Sequence, residues 1–377
     1  MTGPVVAPLP PGSVIGIMGG GQLGRMTALA AAALGYRTAI FTDIADSPAS
    51  QVCDATLVAP YEDRQALERF MDIADVVTFE FENIPIGTAE FLAGRCLVRP
   101  HPRALAIAQD RALEKAFLNE SGIPTAPWVE IADADALEAA LAKIGRRAVF
   151  KTARLGYDGK GQATVRSVPM LRDAWHAAGG VRAVLEGFVE FERELSVIVA
   201  RATDGTMRSF DVAENRHARH ILDVTVAPAR IEAEVAARAV AMAERVARGL
   251  DLVGLVAVEM FACADGTLLA NEIAPRPHNS GHWTMDACVT GQFEQFARAV
   301  CGLPLGSPAR HSNVIMRNLI GDDAGRWAEI LADPDNRLHL YGKTGARPGR
   351  KMGHVNRLYP IADGWAATAE SALRNGE

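Results

Sequence analysis

The chain has no apolar run long enough to span a bilayer, so a membrane partner is not expected. It also has no excess of positive charge. Lys and Arg total 39 against 45 Asp and Glu, a net charge of −6, which argues against nonspecific nucleic-acid binding as the main role and leaves only local basic clusters. Cysteine is scarce: Cys53, Cys96, Cys263, Cys288 and Cys301 are not at close metal-ligand spacing, and the expectation is five free thiols in a reducing cytoplasm. No basic residue precedes Arg25, so no secretory signal is expected. There is no internal repeat, and no Cys or Ser nucleophile stands at a recognisable spacing from a base. What is present is ordinary globular material, 49% hydrophobic and 22% charged, in 377 residues. That is too long for one core, and two or three domains are expected.

Ser13–Met18 reads as a buried strand, followed by the turn Gly19-Gly20-Gly21-Gln22-Leu23-Gly24 and an Ala-rich helix from about Arg25 to Leu34. Strands at Arg37–Asp43, Ala55–Val58 and Asp75–Phe81, with a helix at Arg64–Ile73, predict a parallel sheet ending near Arg99–Pro102. A single helix is expected over Ala104–Glu120, then a segment of mixed strands and short helices from Ile123 to about Val189. The run Arg230–Leu250 places Ile231, Val235, Met242 and Val246 on one helical face. A helix around Gln292–Val300 precedes a second boundary, and the remainder has strand-like runs and a basic loop.

Two apolar runs, Gly254–Phe261 and Leu268–Ile273, flank Asp265-Gly266 as a hairpin. With a two-residue turn, position i pairs with 531 − i, and Glu259 falls opposite Glu272. Like charges facing across a ladder are unfavourable. A hard divalent cation between them reverses that, with Asn271 offering a further oxygen. A three-residue turn with a bulge would instead set Glu259 opposite Asn271. The plainer alternative is that both carboxylates meet solvent or arginines.

Other segments carry chemistry with a structural alternative beside each. The turn Gly19-x-Gly21-x-x-Gly24 lets backbone N–H groups approach a phosphate at a helix end, and Asp43 stands where a dinucleotide-binding protein places its ribose acid; a tight structural turn is the alternative. Lys151 ends an apolar strand before the glycine loop Gly156-Tyr157-Asp158-Gly159-Lys160-Gly161, an arrangement for a phosphate contact under a lid or for a solvated tip. Glu186-Gly187-Phe188-Val189 reads as a sheet strand, or as an extended linker reading an adenine edge with Glu194 on ribose. Arg276, His278 and Asn279 lie in a proline-stiffened loop suited to a small oxyanion, and a His278/His282 zinc site is the weaker reading. The dense cationic loop Lys343–Lys351 is a solvated turn unless the fold points it at a phosphate.

These segments, in this order, resemble the ATP-grasp superfamily, and within it the N5-carboxyaminoimidazole ribonucleotide synthetases. The resemblance is carried by Gly19–Met26, Gly156–Gln162, Asn271-Glu272 through His278-Asn279-Ser280-Gly281-His282-Trp283, and Arg347–His354. Ala153 departs from it, since a basic residue usually follows the lysine strand in that family. The resemblance implies a multidomain α/β and α+β chain. A Rossmann-like parallel-sheet domain would occupy residues 1–103, an ATP-grasp domain 104–306 with a lid at about 123–189, and a small β-rich domain 307–377.

It further implies an ATP-grasp carbon–nitrogen ligase of purine biosynthesis. ATP phosphorylates bicarbonate to carboxyphosphate, which carboxylates aminoimidazole ribonucleotide and releases ADP and phosphate. Magnesium, with manganese as a substitute, would sit on Glu259 and Glu272. The nucleotide would meet Arg111, Lys151, the 156–161 loop, Glu186 to Val189, Glu194, His217, Asn271 and Glu272. Arg276, His278 and Asn279 would cradle bicarbonate and its phosphate. The ribonucleotide would lie on Gly21, Gln22, Leu23, Glu80, Tyr157, Asp158, Lys160, Lys343 and Arg350. A cytoplasmic homodimer is implied. The competing readings are a formate-using glycinamide ribonucleotide transformylase, an NAD-dependent oxidoreductase built on Gly19, Gly21, Gly24 and Asp43, and a non-catalytic nucleotide sensor.

Overall fold

A computed structural model describes residues 7–156 and 159–375. Three sheets organise it, one parallel and two antiparallel. The N-terminal sheet has the order Ala55–Val58, Arg37–Thr42, Val14–Met18, Val76–Phe79, all parallel. Its strands read as near-continuous apolar runs because helices cover both faces. Val14–Met18 lies in the middle, so the segments leaving its end and the end of Val76–Phe79 come together. Those are the glycine turn and Glu80, placed where open α/β sheets gather ligands.

The largest sheet runs in the order Leu268–Ala274, Gly254–Ala262, Arg193–Arg201, Ala213–Ala218, Ile221–Ala227, Asn313–Ile320, Lys351–Tyr359, Asn336–Leu340. The short strand Met207–Ser209 joins it alongside Arg193–Arg201. One face is covered by the helix Ala233–Gly249, which buries Ala239, Ala243, Val246 and Ala247 against Leu195, Val197, Val256 and Val258. Ile221–Ala227 pairs directly with Asn313–Ile320, so the C-terminal strands extend this sheet without interruption. The third sheet, Trp128–Ile131, Ala183–Gly187, Ala148–Thr152, Gln162–Val165, carries its own core with the helices Leu137–Ile144 and Val168–Ala177. Among the described residues no helix is long and apolar enough to cross a membrane.

The expected helix over Ala104–Glu120 is two helices, Pro102–Ala108 and Arg111–Glu120. Asp110 adopts an extended conformation and its carboxylate accepts from the N–H groups of Ala112 and Leu113. A capping aspartate inside an apolar periodic run breaks the helix by offering the backbone a better partner than the previous turn. The first helix also begins at Gln22 rather than about Arg25.

Candidate functional site

The hairpin carrying the two glutamates departs from the expected turn and keeps the expected pairing. Cys263 and Thr267 close a three-residue loop with Gly266 at φ +79°, so from Ala262↔Leu268 to Met260↔Ala270 the paired numbers sum to 530. A β-bulge between Glu259 and Met260 then adds one residue on the opposite strand, and Glu259 faces Glu272. The bulge has a second effect. Ala270 and Ile273 both point into the core, while the two residues between them, Asn271 and Glu272, both line the nucleotide-sized cavity described below. Strict alternation would have sent one of them inward.

Burial first, and then the Glu272 carboxylate, push the Glu259 carboxyl up to about 8. Burial acts on Glu272 in the same sense, but Arg111, at 3.3 Å, and Lys151 override it and hold Glu272 below the usual carboxylate range. His278 Nε2 stands 3.4 Å from Glu259, and burial followed by the Arg276 charge keeps that imidazole well below its usual value, as the neutral ring. Two carboxylates and an amide oxygen are a hard-oxygen donor set that suits magnesium. Among the described residues no group of three or more His, Cys, Asp and Glu side chains forms a complete metal site, and the zinc reading of His278 and His282 has no support. The donor set fits an ion that shares its coordination with phosphate oxygens.

Two cavities meet at this hairpin. The smaller, about 420 Å³, is lined by Lys151, Gly159, the strand end Glu186–Gly187, Phe188 and Val189. Glu194 and His217 also lie on its wall, hydrogen-bonded to each other; burial opposes protonation of His217, yet the Glu194 carboxylate raises its pKa. Phe191 stacks on Phe261 at 4.6 Å beside them. Glu186 lies near the end of a central strand of the third sheet, and its buried carboxylate is held by Lys115 at 3.2 Å and Lys151 at 3.1 Å. Against the cost of burial, those lysines bring it down to about 2. Lys151 also reaches the Asn271 Oδ1 at 3.3 Å.

The larger cavity, about 740 Å³, takes Gln22, Leu23 and Glu80 from the parallel-sheet domain and Gly156 from the glycine loop. Lys343, Arg347 and Arg350 close it from the C-terminal region, so the basic loop does face a cavity. Arg350 is aimed by bonds from its guanidinium to the Thr344 and Gly345 carbonyls, and Lys343 by one to the Lys351 carbonyl at 2.7 Å. Arg276 lines this cavity, paired with Glu82. Arg111, Lys160, Glu272, His278, Asn279 and Lys351 line both cavities and form the wall between them. Gly21 and Gly161 are absent from both walls among the described residues. Tyr157 and Asp158 lie outside the described residues.

Three details differ from the sequence reading. The glycine turn is not an open phosphate cradle: Glu80 accepts from the Gly21 and Gly24 N–H groups and itself occupies the helix N-terminus. A Cβ on Gly21 would stand 2.5 Å from Glu80 Oε1, so the glycine makes room for a carboxylate of the same chain. That accounts for the glycine pattern without a dinucleotide. Asn279 is partly engaged, exchanging two hydrogen bonds of 2.8 and 2.9 Å with the amide of Asn318. Lys351, which lines both cavities, was not singled out from the basic run; only the sheet register shows that it opens a strand at the shared wall.

Comparison with known proteins accords with this geometry. Residues 13–109 match the ribonucleotide synthetase preATP-grasp domain, 116–293 the ATP-grasp domain, and 314–363 the phosphoribosylaminoimidazole carboxylase C-terminal domain. The chain is 52% identical over 354 residues to the N5-carboxyaminoimidazole ribonucleotide synthase of Brucella melitensis, covering 93% of this chain and 98% of that one. It is 42% identical over 359 residues to the synthase of Bacillus subtilis, covering 94% of each. Among solved structures, the Staphylococcus aureus synthetase complexed with ADP superposes with a TM-score of 0.92 at 31% identity, covering 99% of both chains. The Aspergillus clavatus synthase in complex with ADP and 5-aminoimidazole ribonucleotide does so with a TM-score of 0.87 at 30% identity, covering 93% of this chain and 94% of that one. With its three domain matches in this order and relatives aligned over nearly their whole length, the chain belongs to the N5-carboxyaminoimidazole ribonucleotide synthase family of ATP-grasp ligases.

Proposed function

We propose that this chain carboxylates 5-aminoimidazole ribonucleotide with bicarbonate at the expense of ATP, as its family does. ATP transfers its γ-phosphoryl group to bicarbonate, giving ADP and carboxyphosphate. The exocyclic amine then takes up the carboxyl carbon, phosphate leaves, and a proton is lost from nitrogen. The observation that carries this reading is the wall shared by the two cavities, lined by Arg111, Lys160, Glu272, His278, Asn279 and Lys351. A reaction that joins an intermediate made from one substrate to a second substrate needs two pockets meeting at a charged, desolvated boundary.

The nucleotide belongs in the smaller cavity, with Lys151 near its phosphates, Phe188 and Val189 beside the base, and Glu194 and His217 towards the ribose. The ribonucleotide belongs in the larger one, its phosphate on Lys343 and Arg350. Arg276 and neutral His278 flank the place where bicarbonate would lie. Arg276 offers a fixed cationic fork, and His278, kept unprotonated by burial and by that charge, can accept a proton. Magnesium, held by Glu259 and Glu272, would neutralise charge on the transferring phosphoryl group. Carboxyphosphate is short-lived in water, so the site has to exclude water until the amine arrives. A cytoplasmic homodimer follows from the same resemblance and is tested by sedimentation.

The deciding measurement is ADP release with and without each of bicarbonate and aminoimidazole ribonucleotide. Release that needs bicarbonate and is stimulated by the ribonucleotide supports the assignment; formate-dependent release sinks it.

A further inference from the structure

Glu272 is presented by a bulge in an edge strand, and an irregular edge is held only if its outward backbone groups find partners. Here those partners come from one face of the helix Arg111–Glu120. Lys115 Nζ donates to the Asn271 carbonyl at 2.8 Å, and Glu114 Oε1 accepts from the Ile273 N–H at 2.6 Å. Arg111, one turn earlier, reaches the Glu272 carboxylate at 3.3 Å. Positions i, i+3 and i+4 of a helix lie together, so one helical turn engages three consecutive residues of the bulge. Glu114 is 2% exposed and Lys115 is fully buried, which is costly for two charged side chains without a task.

We propose that Glu114 and Lys115 are positioning residues for the metal centre. They fix the bulge so that Asn271 and Glu272 both face the nucleotide cavity and Glu272 stays opposite Glu259. The brace extends further, because Lys115 also binds Glu186, whose carboxylate holds Lys151. The two carboxylates and the phosphate-side lysine thus share one support. This rests on the reading of Glu259 and Glu272 as magnesium ligands.

The test is binding of manganese with ADP to the full chain, followed by the spectroscopic signal of free manganese, in Glu114→Met, Glu114→Gln and Glu272→Gln. Glutamine can still accept from the Ile273 N–H and methionine cannot. The expected result is that E114M weakens manganese–ADP binding about 10- to 100-fold, the range for removing a partner of a metal ligand. E114Q, the conservative rescue, should stay within about twofold of wild type. If E114M does not fold, E114A, which admits water to the same N–H, replaces it. Equal weakening in E114M and E114Q, or wild-type binding in E114M beside weakened binding in E272Q, overturns the brace while the metal reading stands. Wild-type manganese binding in E272Q removes the metal reading and the proposal with it.

Discussion

Glu259 and Glu272 face each other across the ladder, with Arg111 lying against Glu272 and His278 against Glu259. Glutamine at either position keeps the shape and removes the charge a cation needs. Each variant is expected to lose about 10²–10³-fold or more in turnover, with a thermal melt close to wild type; near-normal turnover with magnesium present would refute the two glutamates as magnesium ligands. At Lys343 the expectation differs. Its ammonium lines only the larger cavity, so Lys343→Ala should raise the Michaelis constant for the ribonucleotide and leave that for ATP nearly unchanged. Glu186 gives a pH dependence. Its folded pKa of about 2 lies below its ordinary 4.5, so the stability it contributes is present above pH 4.5 and lost as pH falls towards 2. Glu186→Gln should therefore be destabilised near neutrality, with two buried lysines left unpaired, and the gap from wild type in urea melts should narrow as the pH is lowered below 4.5. A gap that stays constant would contradict the assignment of its charge.

Among elements, the glycine turn shows what can be read in a sequence and what cannot. That Gly19, Gly21 and Gly24 follow a strand and open a helix is legible from spacing, and so is close approach by an acceptor. That the acceptor is Glu80, 59 residues from Gly21, depends on which strand lies next to Val14–Met18, and no local pattern records that. Gly21→Ala should displace Glu80 from the helix end and raise the ribonucleotide Michaelis constant while sparing that for ATP, measured by steady-state kinetics. The hairpin carrying the two glutamates teaches the same lesson more sharply. Counting residues located the glutamate pair, yet the turn has three residues, and the pairing survives only because a bulge compensates. The helix expected over Ala104–Glu120 divides for a related reason: side-chain capping by Asp110 outweighs an apolar periodicity that otherwise suits one continuous helix.

Across the whole molecule, the large sheet does not respect the boundary suggested at residue 306. Asn313–Ile320 is bonded to Ile221–Ala227 on one side and Lys351–Tyr359 on the other. A chain ending at residue 306 would expose the edge of Ile221–Ala227 and lose Lys343, Arg350 and Lys351 together. It is expected to aggregate rather than form a smaller ATP-binding protein; a soluble fragment that binds ADP with wild-type affinity would show the sheet to be separable. The wall between the cavities has a consequence for inhibition. Because the two pockets share six residues and are not separated by a fold boundary, one molecule can occupy both. An adenosine group joined to a ribonucleotide phosphate mimic by a linker crossing that wall would bind its second half intramolecularly. Its affinity would then exceed that of either half by roughly 10²–10⁴-fold, provided the linker matches the span.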